Sequence, residues 1–157
     1  MSPTVYIETS VVSYLTSRPS RDVVVAAHQR LTSRWWTNAR PSFNPVVSQL
    51  VIDEASLGDP ASARRRTHAI SGLPILELTH VGRELARALL DEVAMPPTAI
   101  ADALHIAIAA ENGAHYLLTW NCRHIANASS RALIERTLRL RGYDAPVLCT
   151  PEELMEP

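Results

Sequence analysis

The sequence predicts an α/β fold, a parallel sheet covered by helices on both faces. Short runs of β-forming residues alternate with segments of helical periodicity. Nothing between neighbouring strands reads as a tight hairpin. The segment from Pro96 to Ala110 is apolar on nearly every side, which marks a helix buried inside a domain.

Val5-Tyr6-Ile7 is the first strand, ending at Glu8-Thr9-Ser10. A helix begins over Val11–Leu15, and Arg18-Pro19-Ser20-Arg21 is a loop. Asp22 to about Asn38 is a long helix, with Val23, Val24, Ala27, Leu31 and Trp35 at helical spacing. Trp35 and Trp36 close it. Adjacent residues cannot both face the core from one helix, so one tryptophan stays partly exposed, at an edge or an interface. Pro41 to Val47 reads as a proline-marked strand. Ser48 caps a helix over Gln49–Ser56, and Gly58 ends it. Ala61 to Ser71 is a helix carrying Arg64-Arg65-Arg66, a run that reads as a solvated face.

Gly72-Leu73-Pro74 is a turn and Ile75–Leu78 a strand. Val81 to Val93 is amphipathic, with Leu85, Leu89 and Leu90 inward. Pro96-Pro97 stop that element, Thr98 is the expected cap of the buried helix, and Asn112-Gly113 end it. Tyr116–Thr119 is a buried strand, Ser130–Arg141 a helix, and Pro146–Cys149 the last strand. Thr150-Pro151-Glu152-Glu153 is a capping box with proline at the first helical position.

With 157 residues, 46% of them apolar, and a net charge of −1, the chain fits a single domain over residues 1–157. That balance excludes a disordered chain and a basic nucleic-acid-binding tail. No run approaches the roughly 18 apolar residues of a membrane span. No basic leader precedes the first strand, and the two cysteines make no disulfide framework. A cytoplasmic protein is expected. All 15 basic residues are arginine. Bidentate phosphate binding and an arginine-rich codon usage both account for that.

In a doubly wound sheet, ligands bind beyond the carboxyl ends of the strands. Glu8 lies just past the first strand and Asn121 just past the Tyr116 strand. Asp102 is near the start of a helix that runs antiparallel to the strands, so it belongs at the same edge. Glu54 falls on the apolar side of its helix with Val47, Leu50, Val51 and Leu57, whereas Asp53 falls on its margin. Three carboxylates packed together repel one another, and a hard divalent cation resolves the repulsion. All-oxygen ligation selects Mg²⁺ or Mn²⁺. Pairing of the acids with arginine is the metal-free alternative. A Zn²⁺ site from Asp102, His105, Cys122 and His124 matches no usual zinc spacing. His105 is expected to pack beside Asp102, bonded to it or to backbone.

Four segments carry a resemblance: Tyr6-Ile7-Glu8-Thr9-Ser10, Ser48 to Glu54 followed by Gly58-Asp59, Ala101-Asp102-Ala103-Leu104-His105-Ile106-Ala107, and Leu118-Thr119-Trp120-Asn121. Together they resemble the PIN-domain family, in particular the VapC-like toxins of type II (VapBC) toxin–antitoxin pairs. The resemblance implies a three-layer α/β/α sandwich with a mainly parallel, five-stranded sheet. It implies a Mg²⁺- or Mn²⁺-dependent endoribonuclease, a homodimer, and a small VapB-like antitoxin that blocks the site. The family's acidic quartet maps onto Glu8, Glu54, Asp102 and Asn121, as metal ligands and catalytic residues, and its small hydroxyl onto Thr9 or Ser10. Glu8 stands where the family usually has Asp, one methylene or about 1.5 Å longer. Asn121 stands where Asp is frequent; an amide keeps a carbonyl oxygen but brings no charge. These two departures define the alternative, a catalytically weak or inactive PIN-fold module that binds RNA or a protein partner.

Overall fold

The computed structural model describes residues 1–155. Five strands form one sheet: β1 (Thr4–Ile7), β2 (Asn44–Ser48), β3 (Ile75–Leu76), β4 (Tyr116–Leu118) and β5 (Val147–Cys149). Their order is β3-β2-β1-β4-β5, and every pair is parallel. In register, Tyr6 of the central strand lies between Val46 and Leu117. Apart from the edge strand β3, the strands are mostly buried on both faces, as parallel strands are when helices cover them.

Helices α1 (Thr9–Thr16), α2 (Val23–Arg34), α3 (Gln49–Ala55) and α4 (Pro60–Ile70) pack among themselves as one layer. Helices α5 (His80–Glu92), α6 (Ile100–Glu111) and α7 (Ala128–Leu140) form a second group, with α5 against both others. The two groups follow the chain's path. β1, β2 and β3 step outward in one direction, and the chain then returns through α5 and α6 to β4 beside β1. Right-handed crossovers put connections that step in opposite directions on opposite faces. No helix of the described residues is long and apolar enough to cross a membrane.

Most elements lie where periodicity places them, and the differences have local causes. The first helix starts at Thr9 rather than Val11, because the Glu8 side chain caps it by accepting from the Ser10 N–H. Pro41 belongs to a 3-10 turn, so β2 begins only at Asn44. The strand expected over Ile75–Leu78 keeps two residues. Thr98 does not cap α6. Pro96-Pro97 lead into a 3-10 turn over Pro97–Ala99, and Ala99 at the cap position brings no side-chain acceptor. Thr150 and Glu153 do form the reciprocal capping box, but it closes a turn rather than opening a helix.

The α5–α6 contact is close because Gly82 has no side chain. A Cβ there would stand 2.7 Å from Glu111 Oε2 and 3.2 Å from Leu78 Cδ1. Glu111 accepts from the Thr79 hydroxyl, which itself caps α5. Gly82→Ala is therefore expected to cost about 1 kcal/mol. The overpacking penalty of roughly 1–3 kcal/mol exceeds a helix-propensity gain of at most ~1. Urea unfolding of the variant checks the sign, since propensity alone would stabilise it.

Candidate active site

The sheet order reverses at β1 and β4, which lie side by side while their onward connections diverge. A crevice opens at the carboxyl end of such a pair. Glu8, Thr9 and Ser10 follow β1 at that end, and Thr119, Trp120 and Asn121 follow β4.

Glu8 is buried, 5% exposed, and its oxygens are held from two elements. Oε2 accepts from the Ser10 N–H at 2.5 Å, and Oε1 accepts from the Ser10 hydroxyl at 2.8 Å and the Thr119 hydroxyl at 2.7 Å. The carboxylate thus sits on the N-terminus of α1, where the helix dipole favours an anion. The Thr119 oxygen accepts from the Asn121 N–H at 2.9 Å. The Asn121 side chain in turn donates from Nδ2 to Asp102 Oδ1 at 2.8 Å, while its Oδ1 accepts the N–H groups of Arg123 and His124 at 3.2 and 3.0 Å. Backbone N–H groups can only donate, so the amide orientation follows from the hydrogen bonds. Asn121 therefore turns its nitrogen toward Asp102 and its oxygen toward the turn that follows. Asp102 lies in the first turn of α6, a second helix N-terminus, and its Oδ2 meets His124 Nδ1 at 2.9 Å.

Glu54 is in the last turn of α3, where the dipole opposes a negative charge. Two donors offset this. Glu54 Oε1 is 2.6 Å from both the Thr9 hydroxyl and His105 Nε2. His105 is 1% exposed, and its Nδ1 is 2.6 Å from the Tyr6 hydroxyl, which is 2.7 Å from the Ser48 hydroxyl. Ser48 Oγ accepts from the Val51 N–H as the cap of α3. Proton counting orders the chain. With Nε2–H donating to the carboxylate, Nδ1 accepts from Tyr6, Tyr6 accepts from Ser48, and Ser48 accepts from Val51, so every buried donor is used. His105 thus faces away from Asp102, contrary to expectation. Residue 105 is one turn beyond 102 on α6, but its ring reaches across to β1 and α3.

Burial pushes the Tyr6 phenol far above its ordinary value, so it stays a hydroxyl. Desolvation pushes the Glu54 carboxyl up as well, but His105 and Thr9 outweigh it and hold the group below its usual 4.5. A lowered folded-state value means a contribution to stability that is complete above the unfolded value and lost as pH falls. The parent protein is therefore expected to lose stability relative to Glu54→Gln between about pH 6 and about pH 3. Urea midpoints across that range check it. Parallel curves would show that Glu54 is not held ionised by its neighbours.

The four expected ligands come to one edge, with a single bridging residue between neighbours: Thr119 from Glu8 to Asn121, and Thr9 from Glu54 to the Glu8 segment. Tyr6, His105, Thr119 and His124 bond these residues as well; His105 and His124 were expected near Asp102, but Tyr6 and Thr119 had no assigned role. Thr119 had a readable signal, since it directly follows β4. Tyr6 had none, because a tyrosine inside a strand reads as a core residue.

The donor chemistry fits a hard divalent cation. Glu8 is a buried carboxylate, and none of the arginines forms an ion pair with Glu8, Glu54 or Asp102 among the described residues. Glu54 and Asp102 meet His105 and His124 instead of the arginines that the metal-free alternative expected. No three His, Cys, Asp or Glu side chains stand together as a metal cluster among the described residues, so Glu8, Glu54 and Asp102 do not converge into the one group expected. The same holds for the zinc alternative.

No known family pattern and no curated protein sequence matches the chain. Solved structures do. Mycobacterium tuberculosis VapC20, described as a sarcin–ricin-loop-cleaving toxin, matches with a TM-score of 0.55 at 18% identity, over 72% of this chain and 86% of its own. VapBC2 from Rickettsia felis, bound to a DNA fragment from its promoter, matches with a TM-score of 0.52 at 13% identity, over 94% and 98%. FitAB bound to the IR36 DNA fragment matches with a TM-score of 0.56 at 12% identity, over 98% and 97%. At these identities the likeness establishes the fold, and the fold is the PIN-like one expected.

Proposed function

We propose that the protein is a Mg²⁺- or Mn²⁺-dependent endoribonuclease that acts as the toxin of a toxin–antitoxin pair. One observation carries the reading. Glu8 and Asp102 stand at the N-termini of α1 and α6 on either side of the β1–β4 crevice, and neither has an arginine partner. Glu8 and Asp102 would hold the ion. When bound, it neutralises phosphate oxygens and makes water acidic enough to serve as a nucleophile near neutral pH.

The remaining roles belong to the chain. Glu54 is ionised at neutral pH, with Oε1 fixed by His105 and Thr9. Its other oxygen would orient the water that attacks phosphorus and take its proton. As that P–O bond forms, the bond to the leaving ribose oxygen would break, that oxygen taking a proton from solvent water. Asn121 orients Asp102 through its N–H group, and His124 holds the other Asp102 oxygen. Ser10 and Thr119 fix the Glu8 carboxylate. The antitoxin partner is part of the same proposal, supported by the VapBC2 and FitAB complexes that share the fold, and the homodimer is proposed on the sequence resemblance alone.

A second reading, a PIN-fold module that binds RNA without turnover, has its own observation. Each of the three carboxylates is already occupied by protein donors, and no three metal-binding groups converge among the described residues. Incubation with structured RNA and Mn²⁺, with and without chelator, beside Asp102→Asn, separates the two. Chelator-sensitive cleavage by the parent alone supports the nuclease. Retention of RNA without cleavage supports the module.

A further inference from the structure

Of the arginines, only Arg131, Arg139 and Arg141 form an ion pair with a carboxylate among the described residues. Three of the arginines outside those ion pairs stand together. Arg18, Arg65 and Arg66 line a cavity of about 480 Å³ between the end of α1 and the first turns of α4. Its other walls include the hydroxyl residues Thr16, Ser17 and Ser62. Arg65 is oriented by the end of α1, donating from Nε to the Thr16 carbonyl at 3.4 Å and from a terminal nitrogen to the Ser62 hydroxyl at 3.0 Å. Arg66 donates to the carbonyls of Ala55 at 3.0 Å and Leu57 at 2.5 Å, which places it beside the α3 turn that carries Glu54. Arg18 has no such anchor and is exposed. The one acid in the wall, Asp59, spends one oxygen capping α4 through the Ser62 N–H and hydroxyl at 2.9 and 3.0 Å. Three guanidinium groups against one carboxylate leave the cavity at about +2 in a chain of net charge −1. A second cavity, lined by Arg64, Arg65 and His68, extends the basic surface along α4.

We propose that this cavity binds the phosphate backbone of RNA, on the strand that flanks the bond cut at Glu8 and Asp102. That the strand is RNA rests on the ribonuclease reading; that the cavity selects phosphate rests on its own walls. Guanidinium forks match phosphate oxygens bidentately, whereas the hydroxyls of Thr16, Ser17 and Ser62 donate within the protein, to the Val12 and Ser13 carbonyls and to Asp59. An apolar peptide finds little here to bury itself against, unlike in the groove lined by Tyr14, Leu15, Pro19 and Ala26 on the other side of α1. The eight residues of α1 separate the cavity from Glu8 by about 12 Å at 1.5 Å per residue. That spans roughly three to four nucleotides at the 3.4 Å rise of a stacked strand.

The test measures binding without cleavage. Fluorescence anisotropy of a labelled single-stranded RNA, in chelator and across a salt series, compares the parent protein, Arg18→Ala with Arg65→Ala, and a control pair on α7, Arg136→Ala with Arg139→Ala. Loss of two phosphate contacts is expected to weaken binding about tenfold and to reduce the slope of log K against log salt by about 1.4. The control pair should leave both unchanged. Arg18→Glu alone, at a side chain that anchors no backbone, should weaken binding in the same direction without touching the fold. Unchanged affinity and slope in the cavity variants would overturn the proposal. So would an equal loss in the control pair, or no RNA binding by the parent. A loss of binding to a glutamate-rich peptide with RNA binding intact would overturn it in favour of an acidic protein partner. The Asp102→Asn cleavage comparison reports separately on the ribonuclease reading, so either can fail while the other stands.

Discussion

Asp102→Asn is expected to lower Mn²⁺-dependent RNA cleavage by about 10²–10³-fold, the scale of several kcal/mol of lost charge stabilisation at a developing phosphate anion. Isothermal titration should show Mn²⁺ binding lost with it. The substitution is nearly isosteric, so the structural cost is small by comparison. It removes a negative charge from the first turn of α6, worth about 0.3–1 kcal/mol. It also sets an amide against His124 Nδ1 and the Asn121 amide, both of which now meet a carboxylate. A variant that melts within a few degrees of the parent but neither cleaves nor binds Mn²⁺ places Asp102 in the chemistry. Equal cleavage by both proteins would remove it, and with it the ribonuclease site as placed at Glu8 and Asp102.

Trp35→Ala is expected to cost about 3–5 kcal/mol, the range for deleting a buried large aromatic. Trp35 is fully buried, packed against Trp36 and Phe43 with ring centroids 6.4 and 5.9 Å away. Its neighbour is only half-buried, with the Arg40 guanidinium 4.7 Å from its ring centroid. Trp36→Ala should therefore cost about 1 kcal/mol, mostly the cation–π contact and part of the packing. Denaturant midpoints of the two variants check the contrast. Similar losses would mean that both rings contribute alike and that the division between them is misplaced.

The tryptophan pair shows what could be read before the structure. The rule that consecutive residues cannot share a helix face requires one ring to be partly exposed. It does not say which, because a π-helical stretch over Trp35–Ala39 follows the α2 register and shifts the angular position of every later side chain. The helix starts show the same division. Ser48 caps α3 as its residue type and position require. Thr98 fails to cap α6 because the two prolines before it fix a 3-10 turn that carries the helix start beyond its reach. Glu8, read only as a site residue, also caps α1.

The sequence by itself determined the alternation of strands and helices, and hence a parallel sheet with a functional edge at its carboxyl ends. It also determined which acids lie near that edge, because strand ends and helix starts are local properties of hydrophobic period and capping chemistry. The tertiary structure alone decided what each acid touches. His105 is one helical turn from Asp102 in the chain but bonds Glu54 and Tyr6. His124 bonds Asp102 from 22 residues away, and Thr119 joins Glu8 from 111 residues away. Such contacts depend on sheet order and on the rotation of each helix about its axis, and neither leaves a periodic trace along a single chain. The physical reason is that a hydrogen bond across the crevice is specified to a few tenths of an ångström, whereas periodicity specifies only a face.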